Sequence, residues 1–183
     1  MTQSHTVYVL LTRYEDFFSH VLQTLTHSQF THASICFDES LRDFYSFRLE
    51  KGFCQENPTL MTSPKKVRAV CELYHLKVSQ ENYQRMIAYS QSFSADNPRH
   101  SYSSASLIAG LFHLPFHSLS GCFCSQFVAE VLNKATTVLL AKPASRYLPQ
   151  DFANEEDLEL CFKGTLGELA GMENLHSDFG IYA

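Results

Sequence analysis

A cysteine and a histidine that lie far apart in the chain are the residues best suited to chemistry. Cys124 opens an apolar helical stretch, residues 123–134, directly after a turn-forming segment at 114–121. A thiol at the N-terminus of a helix meets the positive end of the helix dipole and unpaired backbone N–H groups, and both stabilise the thiolate. The same N–H groups can stabilise an oxyanion during acyl transfer. Cys124 is therefore a candidate nucleophile, although cysteine is also a common filler of protein cores.

His32 is the candidate base. A thiolate nucleophile needs an imidazole within hydrogen-bonding reach, which pairs with it and later protonates the leaving group. His32 opens a β-rich run at residues 32–37, whereas His75 lies on an apolar strand face and is expected to be a core histidine. Because the chain contains nine histidines, residue type and position alone leave the choice of base open.

The other cysteines lack the spacing of a metal site. Cys122 and Cys124 form a C-x-C pair, and the sequence contains no C-x-x-C pair, so a zinc site built from Cys122, Cys124 and a histidine is the least favoured hypothesis. On a helix Cys122 would point away from Cys124, which makes it a small filler or, as the lesser alternative, a resolving thiol. Four further cysteines are expected in the core: Cys36, Cys54, Cys71 and Cys161.

The spacing of apolar residues predicts the elements that position these two candidates. Strands are predicted at residues 6–12, 30–37, 43–49, 67–78 and 158–166. Helices are predicted at residues 14–26, 80–93, 102–112 and 123–134, with Ser79 as the N-cap of the second. Residues 52–64 contain Gly, Asn, Ser and two Pro and are expected to form a loop. This mixture favours an α+β fold, with a central antiparallel sheet packed against helices, over alternating βαβ units.

Length and composition indicate a single globular domain over residues 1–183, with its core at about 6–166. A hydrophobic content of 45% is enough to fold a chain of this size without disulfides or a metal. The net charge is −5 and the densest basic segment is only Lys65-Lys66 plus Arg68, so no nucleic-acid partner is expected. No apolar run approaches the roughly 20 residues of a membrane span. Since no secretory signal is visible, we expect a cytoplasmic protein with free thiols.

Four short strings occur in a characteristic order: Thr31-His32-Ala33-Ser34-Ile35, Tyr45-Ser46-Phe47, Lys51-Gly52-Phe53 and Cys124-Ser125-Gln126-Phe127-Val128-Ala129. Together they resemble the circularly permuted papain-like (NlpC-type) cysteine hydrolases, a superfamily that includes the lecithin:retinol acyltransferase-like enzymes. In the unpermuted order the cysteine precedes the histidine, whereas here the histidine comes first. The segments at 147–149 and 162–164 also resemble the C-terminal part of the permuted branch.

This resemblance implies specific roles. Cys124 matches the nucleophile and His32 the general base, and a third polar residue on the strand after the His strand would orient the imidazole. Ser46 is the best match for that residue, Tyr45 is the second choice, and Asp43 lies close to the turn.

The implied activity is that of a thiol hydrolase or acyltransferase acting on an amide, peptide or ester bond. The resemblance implies no metal or organic cofactor. A hydroxyl orients a histidine less firmly than a carboxylate does, so the alternative is a papain-like module that binds a ligand without catalysis. The sequence leaves the exact substrate and the oligomeric state open.

Overall fold

The computed structural model describes residues 4–15, 19–20, 23–24, 27–48, 52–58, 63–93, 124–136 and 140–171. Residues 19–20 and 23–24 are helical, and the rest of the predicted helix at 14–26 lies largely outside the described residues. The predicted helix at 102–112, the predicted turn at 114–121 and Cys122 also lie outside them.

Six strands form one antiparallel sheet with the order β4-β3-β2-β1-β5-β6. The strands are β1 (Ser4–Arg13), β2 (His32–Cys36), β3 (Phe44–Arg48), β4 (Gly52–Glu56), β5 (Val70–Ser79) and β6 (Glu159–Thr165). The prediction of a single antiparallel sheet in a mixed α/β protein is confirmed. The predicted hairpin of β2 and β3 is also confirmed, with Ile35 opposite Tyr45 and Cys36 opposite Phe44.

The sequence-based expectation of a loop over residues 52–64 is wrong for its first part. Strand β4 occupies Gly52–Glu56 and pairs with β3 along its whole length. Gly52 has a φ of 66°, a conformation that glycine adopts without steric cost, and it begins the strand opposite Arg48. The turn-forming residues that suggested a loop belong to the segment after Glu56.

Short and long helices connect the strands along the chain. They are α1 (Pro64–Val67), α2 (Gln80–Gln91) and α3 (Cys124–Leu132), with 3₁₀ segments at Ala144–Arg146 and Pro149–Asn154 and a helical turn at 166–171. Ser79 caps α2 as predicted, because its hydroxyl accepts a hydrogen bond from the backbone N–H of Asn82. The short α1 displaces the start of β5 from the predicted residue 67 to Val70.

Both faces of the sheet are covered, since alternate side chains of a strand point to opposite faces. The larger core lies under α2 and α3 and includes Val9, Ile35, Phe47, Met86, Phe127 and Leu132. A second core on the other face includes Leu10, Cys36, Phe44, Leu73 and Leu166. Within the described ranges, no helix has both the length and the apolar character needed to cross a membrane.

Candidate active site

The first turn of helix α3 is anchored on the sheet, and this places Cys124 next to His32. The buried residues Phe127, Val128 and Val131 hold α3 against the sheet. The Ser125 hydroxyl, also buried, donates a hydrogen bond of 2.6 Å to the backbone carbonyl of Tyr147 and so anchors the first turn. Cys124 itself is only partly buried, which leaves a nucleophile at this position approachable.

Cys124 and His32 are hydrogen-bonded partners, although one begins α3 and the other begins β2. Two backbone N–H groups, those of Ala33 and Ser125, also point at the Cys124 sulfur. A thiolate that accepts hydrogen bonds from N–H groups and from a cationic imidazole is favoured over the neutral thiol. The structure therefore brings together the two residues that the sequence identified as nucleophile and base.

The pKa values of this pair move in opposite directions. Burial alone would raise the pKa of Cys124, but the hydrogen bond and charge of His32, with the N–H groups of Ala33 and Ser125, lower it overall. Burial alone would lower the pKa of His32, but the negative charge of Glu56 and the contact with Cys124 raise it well above its ordinary value. The environment thus favours the thiolate–imidazolium form of the pair over the neutral form.

A carboxylate, not a hydroxyl, contacts the far side of the imidazole. His32 Nε2 lies 2.8 Å from Glu56 Oε1, and both side chains are largely buried. With Nε2 occupied by Glu56, Nδ1 is the ring nitrogen left to face Cys124. A carboxylate on the remote nitrogen fixes both the tautomer and the orientation of a catalytic histidine.

Arg48 holds Glu56 from its other oxygen. Its Nε donates a hydrogen bond of 2.6 Å to Glu56 Oε2, and its terminal nitrogen lies 2.5 Å from the same oxygen. Burial by itself raises the pKa of Glu56, but His32 and Arg48 together lower it to about 2. Glu56 is therefore ionised throughout the neutral range and keeps one oxygen for each partner.

Ser46 does not orient His32, which corrects the sequence-based assignment. The fully buried Ser46 hydroxyl donates a hydrogen bond of 2.7 Å to the backbone carbonyl of Ala33. The alternative Tyr45 alternates onto the other face of β3, where its ring stacks on that of Phe53. The orienting contact instead comes from Glu56, one strand further on.

The Ser46 contact still bears on the site through Ala33. The pairing of β2 with β3 comprises Ile35–Tyr45 and Cys36–Phe44, so Ala33 lies beyond the paired residues. Its carbonyl accepts from Ser46 while its N–H points at the Cys124 sulfur. Ser46 thereby anchors Ala33, the residue whose N–H is one of the two at the thiolate.

Sequence reasoning missed Glu56 because it treated residues 52–64 as one loop. A signal was present in the alternation of the strand Gly52–Glu56. Glu56 pairs with Phe44, which in turn pairs with Cys36, and His32 lies an even number of residues from Cys36. Directly paired residues share a face of the sheet, so Glu56 and His32 fall on the same face.

Other cysteines lack this activation. Burial raises the pKa of Cys36, and it raises the pKa of Cys71 to about 12. Burial also raises the pKa of Cys161, although this residue is exposed by its overall surface. Cys124 therefore differs from these three cysteines in the direction of its pKa shift.

The described residues offer no alternative centre of metal chemistry. Within them, no group of three or more His, Cys, Asp or Glu side chains is arranged to hold a metal ion. Cys122, which the zinc hypothesis requires, lies outside them.

Comparison with protein-family models finds no match for this chain, and comparison with curated proteins finds none either.

Proposed function

We propose that this chain is a thiol hydrolase or acyltransferase with a circularly permuted papain-like fold, which acts on an amide, peptide or ester bond. The observation that carries the proposal is the continuous hydrogen-bonded series Cys124–His32–Glu56. A nucleophile, a base and a carboxylate that orients the base are the parts that acyl transfer through a covalent intermediate requires.

The proposed fold is supported by the order of the parts along the chain. The strand that carries the histidine precedes the helix that begins at the cysteine, and the two elements pack against each other. This is the order expected of the permuted branch, in which the histidine comes first.

The reaction would proceed in two steps. The Cys124 thiolate attacks the carbonyl carbon of the substrate, a C–S bond forms, and the C–N or C–O bond breaks as the His32 imidazolium gives its proton to the leaving group. Neutral His32 then takes a proton from water, whose oxygen attacks the thioester and releases the acid and the thiolate. In an acyltransferase, an acceptor amine or alcohol replaces water. Backbone N–H groups at the start of α3 would stabilise the oxyanion in both steps.

The main reason for the alternative, a non-catalytic binding module, no longer applies. That alternative was based on a weak third residue, and the carboxylate of Glu56 is a strong one. The two functions still predict different behaviour of the Cys124 thiol, and this difference provides the test.

The test is covalent labelling with a neutral, activity-based thiol probe at pH 7, with the modified peptides identified by mass spectrometry. We expect rapid labelling at Cys124 that is lost in Cys124→Ser and strongly slowed in His32→Ala. His75→Ala is the matched control, because His75 is a partly buried strand histidine away from Cys124. Labelling of Cys124 at the rate of an ordinary free thiol would contradict the proposed enzyme and support the binding module.

A further inference from the structure

A cationic cleft lies beside the candidate active site. It has a volume of about 220 Å³. Its described lining residues are polar or charged: Tyr14, Glu15, Arg48, Ser63, Lys65 and Lys66. The cleft contains the Lys65-Lys66 pair, the densest basic segment of the sequence, which the mechanism does not otherwise use.

Two residues connect the cleft with the base. Arg48 lines the cleft and also binds the Glu56 carboxylate that contacts His32. Tyr14 lines it too, with its ring centroid 6.1 Å from that of His32 and its hydroxyl accepting a hydrogen bond of 3.3 Å from Arg48. A group bound in the cleft would therefore lie beside Tyr14 and Arg48, the two residues through which the cleft is connected with His32.

Two cationic groups of the cleft have no ion-pair partner among the described residues. Neither Lys65 nor Lys66 forms an ion pair within the part of the chain that the structure describes. The charge of Arg48 is matched by Glu56, so the described lining residues leave one carboxylate, Glu15, against two ammonium groups, Lys65 and Lys66. Among the described lining residues positive charges outnumber negative ones, although the whole chain has a net charge of −5.

We propose that this cleft binds an anionic group of the substrate, so that the enzyme acts preferentially on amides or esters that carry a carboxylate or a phosphate near the scissile bond. The inference rests on the proposed function, since it concerns the substrate of the Cys124 site. Ammonium groups attract such anions, and the Tyr14 and Ser63 hydroxyls can donate hydrogen bonds to their oxygens. A chain with a net charge of −5 has no general attraction for anions, so a preference for anionic reagents would have to arise in the cleft.

The experiment compares alkylating reagents that differ only in charge. Iodoacetylglycine carries a carboxylate, iodoacetylglycinamide is its neutral counterpart, and iodoacetyl-aminomethylphosphonate carries a phosphate-like group. In each case the Cys124 thiolate displaces iodide and an S–C bond forms. Versions with one and two further methylene groups vary the reach of the anion. Each rate is divided by the rate with N-acetylcysteine amide, an uncharged thiol, which removes the intrinsic reactivity of the reagent.

We expect that, for at least one arm length, a carboxylate or phosphonate reagent labels Cys124 about 5- to 30-fold faster than its neutral counterpart. The reason is that two exposed charge contacts each contribute up to about 5-fold. The preferred anion distinguishes a carboxylate from a phosphate source. Lys65→Gln and Lys66→Gln should each reduce this ratio, and 0.5 M salt should nearly abolish it. Lys77→Gln is the matched control, because Lys77 is an exposed strand lysine outside the cleft.

Two kinds of failure are separable. If Cys124 reacts with the neutral reagent no faster than an ordinary thiol, the proposed function fails. If the neutral reagent is fast but no anionic reagent is favoured at any arm length, the anion cleft is refuted while the proposed function stands. Equal slowing of neutral and anionic reagents in the lysine variants would also refute the cleft, because it would show a general effect on the thiol.

Discussion

Glu56 reaches His32 across a strand that separates them. Strand β3 lies between β4 and β2 in the sheet, yet the Glu56 carboxylate is 2.8 Å from His32 Nε2. Extending the β2–β3 register brings His32 level with Arg48, while Glu56 is paired with Phe44. Ser46 lies midway between Arg48 and Phe44 on the same face of β3. Its hydroxyl donates to the Ala33 carbonyl.

The Cys124 thiol should titrate below the ordinary thiol pKa of about 8.5. The ion pair with His32 and the N–H groups of Ala33 and Ser125 lower its pKa. We expect the rate of alkylation by iodoacetamide, followed peptide by peptide, to rise at lower pH for Cys124 than for Cys161, whose pKa is raised. An inflection for Cys124 at or above that of Cys161 would show that the thiol is not activated.

Replacement of His32 by Gln should move the Cys124 pKa upward. Without the imidazolium, burial becomes the dominant influence on the thiol and disfavours its charged form. We expect alkylation at pH 7 to slow by at least about 10-fold, since each unit of pKa reduces the thiolate fraction tenfold. His75→Gln should leave the Cys124 profile unchanged, and an equal effect of the two substitutions would contradict a direct contact.

Glu56→Gln should weaken catalysis without removing the nucleophile. It replaces a charge-assisted hydrogen bond of roughly 1.5–3 kcal/mol with a neutral one, which corresponds to a decrease of up to about 10- to 150-fold in kcat/KM. Because Glu56 raises the pKa of His32, the limb of the pH profile that falls at high pH should move to lower pH. The exposed Glu159 provides the matched control as Glu159→Gln. A lower rate with an unmoved limb would assign Glu56 a structural role only.

The stability of the protein should depend on Glu56 in acid. Its pKa is about 2 in the folded protein and about 4.3 in the unfolded chain. A lowered pKa contributes stability that is present above the unfolded value and is lost as the pH falls toward the folded one, here between about pH 5 and 2. Wild-type protein should lose on the order of 2 kcal/mol more than Glu56→Gln over this interval in urea titrations. Parallel losses in the two proteins would contradict the ion pair.

Ser46 should be more important for local structure than for proton transfer. Ser46→Ala removes the donor to the buried Ala33 carbonyl, which should lower the free energy of unfolding by about 1–3 kcal/mol. At substrate concentrations that saturate the folded enzyme, the rate should fall no more than about 2- to 12-fold. Ser46→Asp should be worse in both respects, because it buries a second carboxylate beside Glu56. Higher activity in Ser46→Asp would restore Ser46 as the position of the orienting residue.

The sequence predicted more of the sheet and of the Cys124–His32 pair than of the residue that contacts the far side of His32, for physical reasons. Strands β2 and β5 and helix α3 have periodic apolar residues that bury a face, so their patterns are strong. Strand β4 is only five residues long, and its burial is incomplete, so its alternation is weak beside the Pro and Asn that follow. Glu56 acquires its role from pairing with β3 and from the reach of its side chain. Neither property is local to the sequence around it.

The residues that hold His32 are close together in the chain, whereas Cys124, whose pKa His32 lowers, comes from a distant segment. His32, Arg48 and Glu56 lie on three consecutive strands, β2, β3 and β4, and short connections make the contacts among them local ones that cost little loop-closure entropy. Cys124 arrives much later in the chain, and during synthesis it leaves the ribosome after the meander. Until α3 docks, the thiol has no imidazolium and no Ala33 N–H beside it. A chain in which α3 is not docked therefore carries an ordinary thiol at Cys124, and its pKa falls only when α3 packs on the sheet.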